Sequence, residues 1–116
     1  MLQYELEHLF SYYITVGLPE MIGPTPDGLR LNFYITGGEI TGPKVSGKVR
    51  RAGADWVIIR RDGIGLIDVR AVFETRDAAL IYVTVDGSAD LGEHSYERTL
   101  AVRGPGRHRE CQIFRV

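Results

Sequence analysis

Hydrophobic and polar residues alternate along most of this chain, and no segment carries an apolar stripe at helical spacing. In residues 4–16, Tyr4, Leu6, Phe10, Tyr12, Ile14 and Val16 share one face. Glu5, Glu7, Ser11, Tyr13 and Thr15 share the other, with Leu9 the exception. That pattern predicts a long strand with one face buried. Residues 17–28, GLPEMIGPTPDG, hold three prolines and three glycines. They predict a loop, because proline offers no amide to a ladder and fixes its own φ. A loop of this length reads either as a lid over a binding site or as a crossover covering one end of the fold.

Further strands are expected at 29–35, 39–43, 44–51, 55–61, 64–76, 79–85, 93–103 and 108–116. Turns are expected at Gly37-Gly38, Asp62-Gly63, Asp77, Asp86-Gly87 and Gly104-Pro105-Gly106. Eight or nine short consecutive strands joined by tight turns must stack as two sheets or close on themselves. The short connections favour an all-β fold: a closed, mostly antiparallel up-and-down β-barrel of about eight strands, with no helix longer than about two turns. Such a barrel has room for a packed interior or a small ligand, not for a channel.

Composition narrows the picture. At 116 residues the chain is expected to form one domain, 1–116. A net charge of -1 gives no electrostatic case for a nucleic-acid partner, and the densest basic group, Arg103, Arg107 and Arg109, surrounds a turn. A single cysteine, Cys111, excludes an internal disulfide and suits a reducing compartment. With no apolar run of membrane-spanning or signal-peptide character, the expectation is a cytoplasmic protein with no membrane partner.

The residues that could carry chemistry stand mainly on the central strands. Asp68 and Arg70 share a face with Leu66, Val72 and Glu74, whereas Gly65, Ile67, Val69, Ala71 and Phe73 make the other face wholly apolar. Either the apolar face fills the barrel and Asp68 and Arg70 pair in solvent, or the apolar face meets another subunit and the pair points inward. An inward pair would make a polar holding point for a carboxylate, enolate or carbonyl. Asp55 and Trp56 open a strand. Asp55 is either an acceptor for a turn amide or a general base whose pKa is raised by apolar surface, and Trp56 either plugs a barrel end or touches a ligand. Tyr82 and Tyr34 could orient a substrate carbonyl, or serve only as strand formers.

Metal binding is not expected, because His8, His94 and His108 provide no His-x-His or His-x-x-x-His spacing. No cofactor is expected either: there is no phosphate-cradling glycine loop and no nucleophile elbow.

Gly23-Pro24-Thr25-Pro26, Ile35-Thr36-Gly37-Gly38, Gly42-Pro43, Gly47, Gly53-Ala54-Asp55-Trp56, Asp62-Gly63, Asp68-Val69-Arg70 and Ala79-Leu80-Ile81-Tyr82 together resemble domain-of-unknown-function family 3237, also called uncharacterised protein family 0311. The resemblance covers roughly residues 4–87 and implies a closed barrel similar in outline to allene oxide cyclase and dirigent barrels. It implies no common activity, and it tips Asp68 and Arg70 toward the interior because Asp-Val-Arg belongs to its motif. After Gly87 the sequence departs from the family pattern, with SADLGEHSYERTL in place of a longer, aromatic, Arg-containing segment.

Two classes of function follow. One is a cofactor-independent cyclase, isomerase or hydratase acting on a partly apolar carbonyl compound, with Arg70 stabilising an oxyanion and Asp68 or Asp55 moving a proton. The other is a non-catalytic ligand-binding or oligomeric structural module. A small-molecule ligand in the barrel and a homodimer or higher homo-oligomer are the expected partners, the latter because residues 64–76 and 79–85 are too apolar for a lone small barrel to cover.

Overall fold

The computed structural model describes residues 5–101 and, as backbone only, residues 112–115. Alternation does produce strands, and they assemble into one antiparallel sheet of eight. β1 (Ser11–Val16) and β2 (Glu20–Thr25) follow each other along one edge of the long β3 (Gly28–Thr41). Along the other edge of β3, β4 (Gly47–Val49) pairs with its end and β5 (Ala54–Ile59) with its first half. β6 (Ile64–Thr75) lies against both β4 and β5, and β7 (Leu80–Asp90) pairs with β6 from Ile64↔Asp90 to Glu74↔Leu80. A short helix, α1 (Ser95–Ala101), follows, and β8 (Gln112–Arg115) returns to the free edge of β1.

The described residues do not by themselves complete the closed barrel. Among the described residues no ladder joins β7 to β8, so the sheet is open there. The molecule measures 46 × 41 × 20 Å with a radius of gyration of 16.6 Å.

The inner face carries the core. Ile14, Val16, Leu29, Leu31, Phe33, Val57, Val69 and Phe73 are all buried on it. Phe73 is fully buried, with Tyr12 and Phe10 at ring-centroid distances of 5.0 and 6.2 Å. Each aromatic contact of this kind adds roughly 0.5–1.5 kcal/mol beyond the area it buries.

Several expectations are corrected, among them the Asp86-Gly87 turn, since β7 runs through both residues to Asp90. Residues 17–28 are not a loop, since most of them form β2 and its tight turn into β3. Pro24 is tolerated because β2 pairs only with β3 among the described strands, so the proline sits on an edge lane. Thr25 closes the turn, accepting the Asp27 amide at 3.3 Å and donating to the Gly28 carbonyl at 2.8 Å. Gly37-Gly38 is not a turn either. It lies within β3 opposite Thr15 and Ile14, beside a register shift between Thr15 and Val16, and a Cβ on Gly38 would run into the Tyr13 carbonyl. Close backbone approach, not chain reversal, is what this glycine permits.

A further correction concerns the strand expected over 93–103, whose described part, 93–101, is not a strand. It contains α1, whose Tyr96 joins the core and lies under the Arg61 guanidinium at 5.2 Å from the ring centroid. Ser95 Oγ donates to the Gly63 carbonyl at 3.3 Å, tying the helix to the β5–β6 hairpin. The Gly104-Pro105-Gly106 turn expected between the last strands lies outside the described residues, as do Cys111 and His108.

Candidate functional site

Cross-strand partners share a face of a sheet, so the register alone sorts the candidate residues. One row runs Tyr34↔Ala54↔Arg70↔Thr84 across β3, β5, β6 and β7. The neighbouring row starts at Glu20↔Asn32↔Trp56 and ends at Asp68↔Asp86. Val72↔Tyr82 belongs to the same face. Tyr34, Trp56, Asp68, Arg70 and Tyr82 therefore gather on the outward side. Asp55, opposite Val69 and Phe33, is on the inward side.

The start of β5 fixes this arrangement. Gly53 has φ of 84°, and a Cβ there would meet the Arg70 carbonyl. Its own carbonyl accepts the Ile35 amide at 3.1 Å. A left-handed residue is needed where the chain squeezes between β3 and β6, and only glycine takes that conformation without strain. Ala54 follows directly, fully buried although it faces outward, with Tyr34 on one side and Arg70 on the other.

On the outward face Trp56 meets the edge of Tyr34, ring centroids 5.9 Å apart and planes at 88°. The Tyr34 hydroxyl donates to Glu20 Oε1 at 2.7 Å, and Asn32 Nδ2 donates to the same oxygen at 3.2 Å. These two donors hold the Glu20 carboxyl below the ordinary carboxylate range, and the same bond to Glu20 raises the Tyr34 phenol. Asn32 is buried, and its Oδ1 has no partner among the described residues. One strand pair further on, Arg70 Nε donates to Asp68 Oδ1 at 3.5 Å. Pairing with Asp68 raises the Arg70 pKa, with Tyr82 beside it adding to the effect. Both partners are about half exposed, so the pair contributes little to stability.

The expectation that Asp68 and Arg70 point into the barrel is thus corrected. The wholly apolar face of β6 packs inward within the single chain, and Asp68 and Arg70 take the outside. Glu20 was missed because it fell in the segment read as a loop. Asn32 was visible only as a polar residue inside the run LRLNFYI.

Asp55 is 1% exposed, with a role different from a turn acceptor. Its Oδ1 accepts the Asp68 amide at 3.1 Å. The β5–β6 register runs Ala54↔Arg70 and Asp55↔Val69, then resumes at Ile58↔Leu66. Asp55 thus fills a break in the ladder by offering its side chain to a backbone donor. Its Oδ2 is buried without a partner among the described residues. Burial pushes the pKa up, the Asp68 amide bond opposes this, and the Asp68 charge adds to the rise. Among the described residues no three His, Cys, Asp or Glu side chains are grouped to hold a metal ion, and no helix is long and apolar enough to cross a membrane.

Comparison with known proteins places the chain. The family described as a protein of unknown function (DUF3237) matches residues 4–115, and the chain belongs to it. A UPF0311 protein of Rhodopseudomonas palustris is 35% identical over 79 residues, which cover 68% of this chain and 52% of the relative. One from Clostridium acetobutylicum is 35% identical over 82 residues, 70% of this chain and 52% of the relative. The chain thus spans about half the length of the curated relatives it matches.

Among solved structures, a protein of unknown function from C. acetobutylicum superposes with TM-score 0.72 at 32% identity, covering 81% of this chain and 66% of that one. A β-barrel-like protein from Acinetobacter baumannii does so with TM-score 0.68 at 26% identity, covering 97% of this chain and 80% of that one.

Proposed function

We propose that this chain is a small-molecule-binding protein whose ligand lies on the outward sheet face between Trp56 and Arg70. The observation that supports this reading is the gathering of Tyr34, Trp56, Arg70 and Tyr82 across four adjacent strands. A crossed aromatic pair offers a rigid apolar surface at little entropic cost, and a half-exposed guanidinium beside it matches a carboxylate or carbonyl. The hydrogen-bonded Glu20, Asn32 and Tyr34 keep the aromatic side in one rotamer. A partly apolar carbonyl or carboxylate compound fits this chemistry.

Binding fits the geometry better than catalysis. A scheme using Arg70 for an oxyanion and Asp55 as base needs both to touch one substrate, and the sheet lies between them. Asp68, the remaining acid, is already engaged by Arg70. The family's absence of an assigned activity leaves the reaction open to direct assay.

Trp56 is the sole tryptophan, so its fluorescence reports on the site directly. Titration with a panel of aromatic and alicyclic carboxylates and ketones should give a saturable change with at least one compound. Arg70→Ala should weaken that binding by about tenfold or more, corresponding to ~1.4 kcal/mol. A flat response across the panel, or equal affinity in the variant, would remove this site from consideration.

A further inference from the structure

We propose that the open edge of β7 pairs with β7 of a second copy of this chain, in antiparallel register centred on Val83. β7 is hydrogen-bonded to β6 along its length and has no other strand neighbour among the described residues. Edge strands are ordinarily protected by charge, proline, a bulge or brevity. The other lane edge follows that rule: β2 carries Pro24 and a register shift between Met21 and Gly23. β7 does not. Leu80 to Val85 reads LIYVTV, six residues without charge, proline or glycine, and four of them are β-branched. Leu80 and Tyr82 are 58% and 66% exposed.

The occupant is a second copy because the strand is complementary to itself. In a two-fold pairing that continues the sheet, residues opposite one another must share a face, so only registers of even sum are allowed. Centring on Val83 sets Val83 against Val83 and Ile81 against Val85 of the other copy, extending the apolar inner face across the junction. On the outward face Tyr82 meets Thr84, and Asp86 meets Leu80, so no two carboxylates oppose each other. Centring instead on Val85 would bring the two Asp86 side chains to diagonal positions, where like charges repel. A single strand pair buries an area at the low end for specific interfaces, so dissociation falls in the ~micromolar range.

The register can be tested by charge. Tyr82→Lys with Thr84→Lys places ammonium groups opposite each other twice in the pair, while Tyr82→Lys with Thr84→Glu places opposite charges there. Sedimentation of the full chain at roughly 1–100 μM brackets the expected affinity. Wild type should reach twice the 13.0 kDa chain mass. The first double variant should be monomeric at every concentration, and the second should recover the dimer.

Hydrogen exchange on wild type alone gives an independent reading: of the amides in 80–86, those that point away from β6 should be protected at high concentration and not at low. A monomeric wild type, a dimer indifferent to both charge patterns, failure of the second variant to recover, or protection independent of concentration would each overturn the proposal. The last result would mean that another part of the same chain covers this edge.

Discussion

Asp55 and Arg70 come from adjacent strands at neighbouring register positions, yet they stand on opposite faces of the sheet. Asp55 is opposite Val69, and Arg70 is opposite Ala54. One carboxylate is sealed in the core holding the Asp68 amide, and one guanidinium is half in solvent beside Asp68. The two therefore differ in what their loss removes. Asp55→Ala leaves a backbone donor stranded inside, which costs about 1–3 kcal/mol. Arg70→Ala removes an exposed pair worth about 0–1 kcal/mol. Urea unfolding of both variants should separate them clearly, and equal losses would contradict the placement of Asp55.

The pH dependence of stability carries a second consequence. Burial raises the Asp55 pKa in the folded state. A raised acid holds its proton more tightly when folded, so its stabilising contribution is complete below the ordinary aspartate value near ~4. It is lost as pH rises through the folded value. Asp55→Asn cannot ionise and lacks that loss. The stability of wild type relative to Asp55→Asn should fall as pH rises from about 4 toward neutrality. Parallel stability profiles over that range would show that Asp55 is not desolvated as described.

Glu20, hydrogen-bonded to Tyr34, should respond in the opposite sense. Two hydrogen bonds lower the Glu20 pKa, so its contribution is present above the ordinary glutamate value and is lost as pH falls through the folded one. Tyr34→Phe removes the shorter of those bonds, 2.7 Å, and should return the Glu20 carboxyl toward its ordinary titration. Glu20→Gln should in turn let the Tyr34 phenol ionise at lower pH, since the carboxylate is the leading cause of its rise. Carboxyl chemical shifts and tyrosinate absorbance read the two changes. If neither moves, the hydrogen bond between these strands does not persist in solution.

How much of this was legible beforehand differs from residue to residue. Strands over 29–35, 55–61, 64–76 and 79–85 were readable because alternation persists where one face packs. The partition of 64–76 into an apolar face and an Asp68–Arg70 face was equally plain. The direction of those faces followed from the wholly apolar side, and the motif resemblance pulled the reading the wrong way. β2 was hidden because three prolines in and beside it mark a loop, unless the strand is known to be an edge. Glu20 was hidden with it. The ladder break that Asp55 fills has no sequence signature at all, since it depends on how β5 and β6 meet.

The misreading of 93–103 has a specific cause that can itself be tested. Tyr96 and Leu100 are four apart, a spacing that places them on one side of a helix and on one side of a strand alike. A segment of seven helical residues is too short to break the tie. What decides it is tertiary: Tyr96 enters the core beneath Arg61, and Ser95 is tied to Gly63. Thr99 lies between the two apolar residues and is half-buried. In a helix its β-branched side chain loses rotamer freedom, so Thr99→Ala should stabilise the protein by a few tenths of a kcal/mol, roughly up to ~0.7. In a strand the same change removes a favoured residue and should destabilise it by a comparable amount. The sign of the shift in the urea midpoint, at unchanged m-value, therefore distinguishes α1 from the strand that alternation predicts.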